Sequence, residues 1–263
     1  MTLLSFDFFF LFWFSVLGAC VGSFLNVVIF RIPRGYKIGL PSRSICTRCR
    51  RRIRWYENIP VLSYLALRGR CHGCGAGISR RYPFVECVTA LLFAGVYAHF
   101  GVTLATLYYC GFVAALVAVT FIDIDFRIIP DVISIPGVVI GLAGSLSVGR
   151  VSFSDAATGA LFGGGFFWAL GWAYEKYSGR EGLGFGDVKL IAMIGAFLGL
   201  KGSMVTIVLS SLIGSIFGVA IMIIQRKNLK LAIPYGPFLA LGALLYLFWG
   251  DSISLRLYPQ FYE

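Results

Sequence analysis

Charge is what this chain has least of. Asp, Glu, Lys and Arg make up 13% of 263 residues, against about a quarter in a soluble domain. Only 12 positions are acidic and two are histidine, while 58% are hydrophobic. That balance excludes a single water-soluble core. Uncharged runs near twenty residues recur, the length that crosses a bilayer core, so the composition predicts a polytopic membrane protein. The amino-terminal run also lacks a basic flank and a small-residue cleavage site before its apolar stretch ends, and is expected to be a retained first helix rather than a signal peptide.

The apolar runs predict an all-α protein of about eight transmembrane helices, at roughly 4–30, 84–100, 103–122, 132–149, 156–174, 188–200, 203–225 and 233–250. The run 188–200 is the weak one. Lys189 and Lys201 leave eleven uncharged residues between them, too few to cross at a helical rise, so a short helix entering from a water-filled cavity is the alternative. Gly159, Gly163, Gly164 and Gly165 include a small-xxx-small spacing suited to close helix packing.

The formal charge of +11 is unevenly spread. Arg31, Arg34, Lys37, Arg48, Arg50, Arg51, Arg52 and Arg54 are among the bases between the first two spans, where Glu57 stands as the lone acid. A basic loop can grip nucleic acid, but between membrane spans it reads as cytoplasmic and drawn to anionic lipid headgroups; no nucleic-acid partner is expected. Alternation then places the amino terminus and the turns near Gly101, Gly149 and Gly202 outside. Arg127, Lys176, Arg180, Arg226, Lys227 and Lys230 fall inside. The expected domains are a first transmembrane helix at 1–30, a basic cytoplasmic loop at 31–83 and a transmembrane core at 84–263.

Four of the seven cysteines form two CxxC pairs in that loop, Cys46 with Cys49 and Cys71 with Cys74. Thiolates are soft ligands, and four of them make a closed tetrahedral zinc site with no open position for catalysis. A reducing cytosol disfavours disulfides there. Incidental thiols are the competing reading, which the doubled spacing opposes. Cys20, Cys87 and Cys110 stand in apolar context and read as buried small hydrophobes.

Because acids are scarce, those at span edges stand out. Asp123 and Asp125 close the third span, and Asp187 opens the sixth within Gly184-Phe185-Gly186-Asp187. The expected topology brings both ends to one membrane face. Two adjacent carboxylates share a proton, so that one activates a water while the other protonates a carbonyl oxygen. Gly184 and Gly186 would let a substrate backbone approach. The competing reading is ion pairing of these acids with Arg127 or Lys189. Residue chemistry leaves Asp123, Asp125 and Asp131 undistinguished.

Ordered motifs then carry a resemblance. Residues Gly22-Ser23-Phe24-Leu25-Asn26 through Arg31-Ile32-Pro33, Glu57-Asn58-Ile59-Pro60, Leu67-Arg68-Gly69-Arg70-Cys71, Arg81-Tyr82-Pro83-Phe84-Val85-Glu86, Phe121-Ile122-Asp123, Ile129-Pro130-Asp131, Gly184 to Leu190 and Ile233-Pro234-Tyr235-Gly236-Pro237-Phe238 resemble the bacterial type IV prepilin peptidases. The match runs from about residue 18 to 245.

The resemblance implies a GxGD-type aspartic endopeptidase of the bacterial inner membrane with Asp123 and Asp187 as its dyad. Its substrates would be prepilins and pseudopilins of type IV pili or type II secretion, cut after a glycine that follows a short basic leader. Members with four cysteines in the loop also N-methylate the new amino terminus with S-adenosylmethionine. No glycine-rich strand-to-helix turn of a standard methyltransferase occurs here. Glu57, Asn58, Gly69 and Glu86 are the methyl-transfer candidates, each with a structural alternative. Lys189 either steadies the dyad or the substrate carbonyl, or snorkels. Rival functions are a transporter or channel with a zinc-ribbon loop, a peptidase without methyl transfer, and a GxGD protease cutting within the bilayer. A transporter should carry ionisable groups inside several spans, which are nearly absent here.

Overall fold

The computed structural model describes residues 2–39, 45–148, 150–179, 184–225 and 233–257. Gly149, Arg180, Arg226, Lys227 and Lys230, placed in connecting turns above, lie outside them. The described residues are helical, with two isolated β-bridges and no strand. The chain divides into two compact units, Met1–Ala118 and Val119–Glu263.

In the first unit, α1 (Thr2–Arg31) packs along α3 (Arg81–Phe100). The approach is tight because Gly18 and Gly22 face the α3 backbone: a β-carbon there would lie 2.8 Å from Cα of Ala90 or Glu86. Asn26 donates to the Tyr82 carbonyl at 3.1 Å, tying the two helices at the loop end. Leu25, Val28, Ile29, Val85, Phe93 and Val96 are buried, whereas Phe8, Phe12, Trp13 and Leu91 are exposed. An outward apolar surface of that kind suits lipid rather than water. Between α1 and α3 lie the cysteine loop and a five-residue helix, α2 (Leu62–Ala66). Gly101, with φ of 65°, turns the chain into α4 (Leu104–Phe126). Cys110 is buried, but Cys20 and Cys87 are exposed. Their apolar context is met on an outward helix face as well as in a core, which explains the departure from the sequence expectation.

The second unit comprises the end of α4, α5 (Asp131–Val148), α6 (Phe153–Ser178), α7 (Phe185–Gln225) and α8 (Gly236–Leu257). The weak run 188–200 and its successor are joined in α7, which breaks at Gly199 (φ 74°, ψ −174°). The break thus falls three residues before Gly202, where a turn was expected, and Gly202 packs on Tyr246. Asp155 explains the position. Ser152 caps α6 by accepting from the Asp155 amide, and the Asp155 carboxylate accepts the Leu200 amide at 3.1 Å. One acid therefore satisfies an amide that the break has freed.

The segment of α7 before the break is short and enclosed by protein. Leu190, Ile191, Met193, Ile194, Ala196, Phe197 and Leu198 are all buried, and α5, α6 and α8 all pack on α7. The glycine spacing of α6 does the predicted packing: Gly159 meets the α7 backbone at Gly195 and Gly199, and Gly163 lies against Ile191. Ser203 adds a hydrogen bond to the Gly159 carbonyl at 3.0 Å.

Among the described residues, five helices are long and apolar enough to cross a membrane by length and composition: Asp7–Arg34, Arg81–Phe100, Leu104–Phe126, Asp131–Val148 and Phe185–Ile224. The chain is an all-α, multi-pass membrane protein with a four-cysteine loop between its first two long helices.

Candidate active site and metal centre

Phe121-Ile122-Asp123 lies near the carboxyl end of α4, where Ile122 is fully buried and Asp123 is 5% exposed. Asp125, two residues on, is exposed, and Asp131 at the start of α5 pairs with Lys189 at 2.7 Å. Of the three acids that sequence chemistry left open, Asp123 is therefore the one withdrawn from solvent. Asp187 lies in the first turn of α7, its amide bonded to the Gly184 carbonyl at 3.0 Å. The Asp123 carboxylate lies within electrostatic reach of Asp187. The Arg127 charge also acts on Asp123.

The start of α8 completes this arrangement. The Gly236 amide donates to Asp123 Oδ2 at 2.9 Å, and a β-carbon at Gly236 would stand 2.7 Å from that oxygen. A glycine is needed because the carboxylate occupies the space of a side chain. The other amides of the turn are accounted for: Pro237 has none, and Phe238 and Leu239 both donate to the Tyr235 carbonyl. Asp123 thus takes the one unsatisfied donor at the positive end of a helix, a favourable place for an anion. Sequence reasoning quoted this motif without giving it a role, and the glycine-proline pair opening an apolar run was the available signal.

The remaining candidates of the GxGD segment have defined surroundings. Gly186 packs on Ile129, whose Cβ would lie 2.9 Å from a side chain at 186, and Gly184 lies beside Asp187 itself. The Lys189 ammonium is held by Asp131 across α5 and α7.

In the loop, the two CxxC pairs fold identically. Each first cysteine receives a backbone hydrogen bond at its carbonyl from the residue four ahead and donates its amide to the carbonyl five ahead, in Cys46–Arg51 and again in Cys71–Ala76. Arg50 and Gly75, in equivalent places after the second cysteines, both take positive φ, 55° and 69°. The knuckles bring all four sulfurs within 4.8 Å of one another, with Cys46 and Cys74 Sγ 3.9 Å apart. Four thiolates about 2.3 Å from one ion would stand about 3.8 Å apart, so the donor set fits a tetrahedral metal. Amides of Cys49 and Arg48 pull the Cys46 thiol down to about 6, and those of Cys74 and Gly73 lower Cys71. Both shifts favour the ligating thiolate, whereas Cys74, despite the Ala76 amide, is pushed up to about 11 by burial and by hydrogen bonds with the other sulfurs.

Comparison with known proteins places this chain in a family. The family models for the bacterial peptidase A24 N-terminal domain and the type IV leader peptidase family match residues 16–100 and 110–219. The prepilin leader peptidase/N-methyltransferase of Aeromonas salmonicida is 40% identical over 259 residues, covering 89% of each chain. The chain belongs to the type IV leader peptidase family. The Pseudomonas aeruginosa protein of the same name is also 40% identical, over 94% of this chain and 92% of its own. That of Myxococcus xanthus is 44% identical over 208 residues, 79% of this chain and 62% of its own. No solved structure matches the chain.

The loop candidates of this leader peptidase have partners of their own. Glu57 is 4% exposed at its side chain and accepts from Arg51 at 2.5 and 2.7 Å and from the Arg54 amide at 2.9 Å. The Arg51 guanidinium holds its carboxyl below the usual carboxylate range. His72, exposed between two ligands, lies 3.9 Å from the same carboxylate. Glu86 is buried in α3 and accepts the Val61 amide at 2.7 Å, where Val61 itself has φ of 59°. Gly69, three residues past α2, has φ of 67°, its amide bonded to the Tyr64 carbonyl and its open face against the Tyr64 ring. Asn58 is exposed. The loop is therefore braced by the Arg51–Glu57 pair beside the cysteines and by Glu86 reaching up from α3.

Proposed function

We propose that this enzyme cleaves the leader from type IV prepilins and pseudopilins with Asp123 and Asp187, and then N-methylates the new amino terminus from S-adenosylmethionine. The observation that carries the reading is the buried Asp123, within electrostatic reach of Asp187 and held by the amino end of α8.

The chemistry follows from that pair. One carboxylate takes a proton from a water, which attacks the scissile carbonyl; the other gives its proton to the carbonyl oxygen. Collapse of the tetrahedral intermediate breaks the C–N bond, and the amine leaves with a proton returned from the dyad. The excess of bases in 31–83 supports a site on the cytoplasmic face of the bacterial inner membrane, with the amino terminus outside and those bases against anionic headgroups. Leaders remain on that face while the apolar pilin segment lies in the bilayer. Lys189, two residues from Asp187 and bonded to Asp131, supports the start of α7.

Zinc is the metal that Cys46, Cys49, Cys71 and Cys74 would hold, and its contribution is structural, since all four positions are protein thiolates. Residues 31–83 form the methyl-transfer region around this centre, with exposed Asn58 available to substrate and Glu57, Gly69 and Glu86 shaping the loop. Replacing Cys71 with Ser is expected to remove about one zinc per chain, measured by mass spectrometry of the metal. Methyl transfer should be lost with it and leader cleavage retained.

The test of the whole reading is incubation of the detergent-purified protein with a prepilin, with and without S-adenosylmethionine, followed by mass spectrometry of the new amino terminus. Cleavage in both, with an added methyl group only when the donor is present, supports both activities. Cleavage without methylation reduces the cysteine loop to scaffold. Intact substrate under every condition would reject the peptidase.

A further inference from the structure

The amide that reaches Asp123 is only as well placed as the first residue of α8, and Tyr235 is the residue that holds it. Its hydroxyl lies 2.9 Å from Ser210 Oγ and 3.1 Å from Ser211 Oγ, both on α7 beyond the break. Ser210 Oγ donates to the Ile207 carbonyl at 3.0 Å. With that proton spent, Tyr235 donates to Ser210 and accepts from Ser211, so all three hydroxyls are satisfied in one arrangement. The tyrosine ring lies 6.0 Å from Phe167 of α6 and 6.3 Å from Phe238 of α8. Its carbonyl takes two amides of the first turn of α8, and its neighbour's amide goes to Asp123. A side chain anchored on α7 is thus one residue from the donor that fixes a carboxylate on α4.

We infer that Tyr235 is a positioning residue for peptide cleavage: its hydroxyl pins the start of α8 to α7, so that the Gly236 amide holds Asp123 Oδ2 and leaves Oδ1 for the attacking water and Asp187. This rests on the peptidase reading above. Anchoring matters because both carboxylates must be in register when the water is activated, and a small displacement of one acts on the rate constant rather than on binding. With its one proton committed to Ser210, Tyr235 takes no part as an acid. Substrate contact is the competing role. Tyr235 lines a groove of about 280 Å³ with Ser211, Gly214, Ser215, Ile233 and Phe238, and a residue acting there would show itself in KM.

The experiment is steady-state cleavage of a prepilin by the full chain in detergent, comparing wild type, Tyr235→Phe, Ser210→Ala with Ser211→Ala, and all three together. Tyr235→Phe keeps the ring contacts and removes only the hydroxyl. It is expected to lower kcat about tenfold, the effect of one misplaced hydrogen-bonded anchor, with KM within about twofold of wild type and an unchanged melting temperature. The serine pair should show the same loss, and the triple variant no further one, because all three remove one anchor. Should the serine pair not fold, Ser210→Ala alone removes the acceptor of the Tyr235 proton and serves in its place. Wild-type kcat in Tyr235→Phe overturns the inference, as does a change confined to KM or a loss that multiplies in the triple variant. A wild type that cleaves no prepilin overturns the peptidase reading along with it, whereas an active wild type with an equally active Tyr235→Phe overturns this inference alone.

Discussion

Asp123→Asn and Asp187→Asn are each expected to lower prepilin cleavage by at least about a thousandfold, because the reaction needs one carboxylate as base and another as acid and neither task passes to an amide. The substitutions are nearly isosteric. In Asp123→Asn the carboxamide oxygen can still accept the Gly236 amide that now reaches Asp123 Oδ2 at 2.9 Å, so folding should survive. Retained methylation of an already cleaved pilin would establish that, since its candidate residues lie in the other compact unit. Asp125→Asn supplies the contrast: the residue is exposed two positions from Asp123, and its loss should leave cleavage within a few-fold of wild type. Cleavage that persists in folded Asp187→Asn would remove the dyad.

Gly195→Val is expected to have the largest effect on folding. A β-carbon at 195 would run into the backbone carbonyl of Gly159 and lie 2.5 Å from Ser203 Oγ. Main chain cannot rotate away as a side chain can, so α6 and α7 would have to part. Much of the packing around the buried face of Leu190, Ile191 and Ile194 would be disturbed with them. The loss should be at least about 3 kcal/mol, the upper part of the range for overpacked cores, and is read as reduced yield of folded protein and a lower melting temperature in detergent. Gly165→Ala is the control. It stands in the same glycine run of α6 but meets nothing within 4 Å, and alanine there should be neutral or mildly stabilising. Equal behaviour of the two variants would mean that α6 and α7 are not packed glycine to glycine.

Different parts of the molecule were legible to different degrees. Each of the eight apolar runs overlaps a helix, two of them sharing α7, and the two CxxC pairs converge on one centre. Less was legible about which acid matters. Asp123, Asp125 and Asp131 share composition and neighbourhood, and they separate only by burial of the first, exposure of the second and the Lys189 pairing of the third. The α7 break is a similar case. A turn near Gly202 follows from the lysines that interrupt hydropathy, but the backbone turns where Asp155, from another helix, can accept the Leu200 amide.

What the sequence determined by itself is therefore what depends on near neighbours. Helix formation in an apolar run follows from the need to satisfy each amide internally in lipid, and a CxxC knuckle follows from the backbone bonds between close neighbours in the chain. Tertiary structure decided whatever depends on partners far along the chain. The amide on Asp123 comes from 113 residues away and the carboxylate at the α7 break from 45. Such contacts leave no periodicity behind, because a single hydrogen bond fixes one atom of each partner and constrains nothing in the residues between.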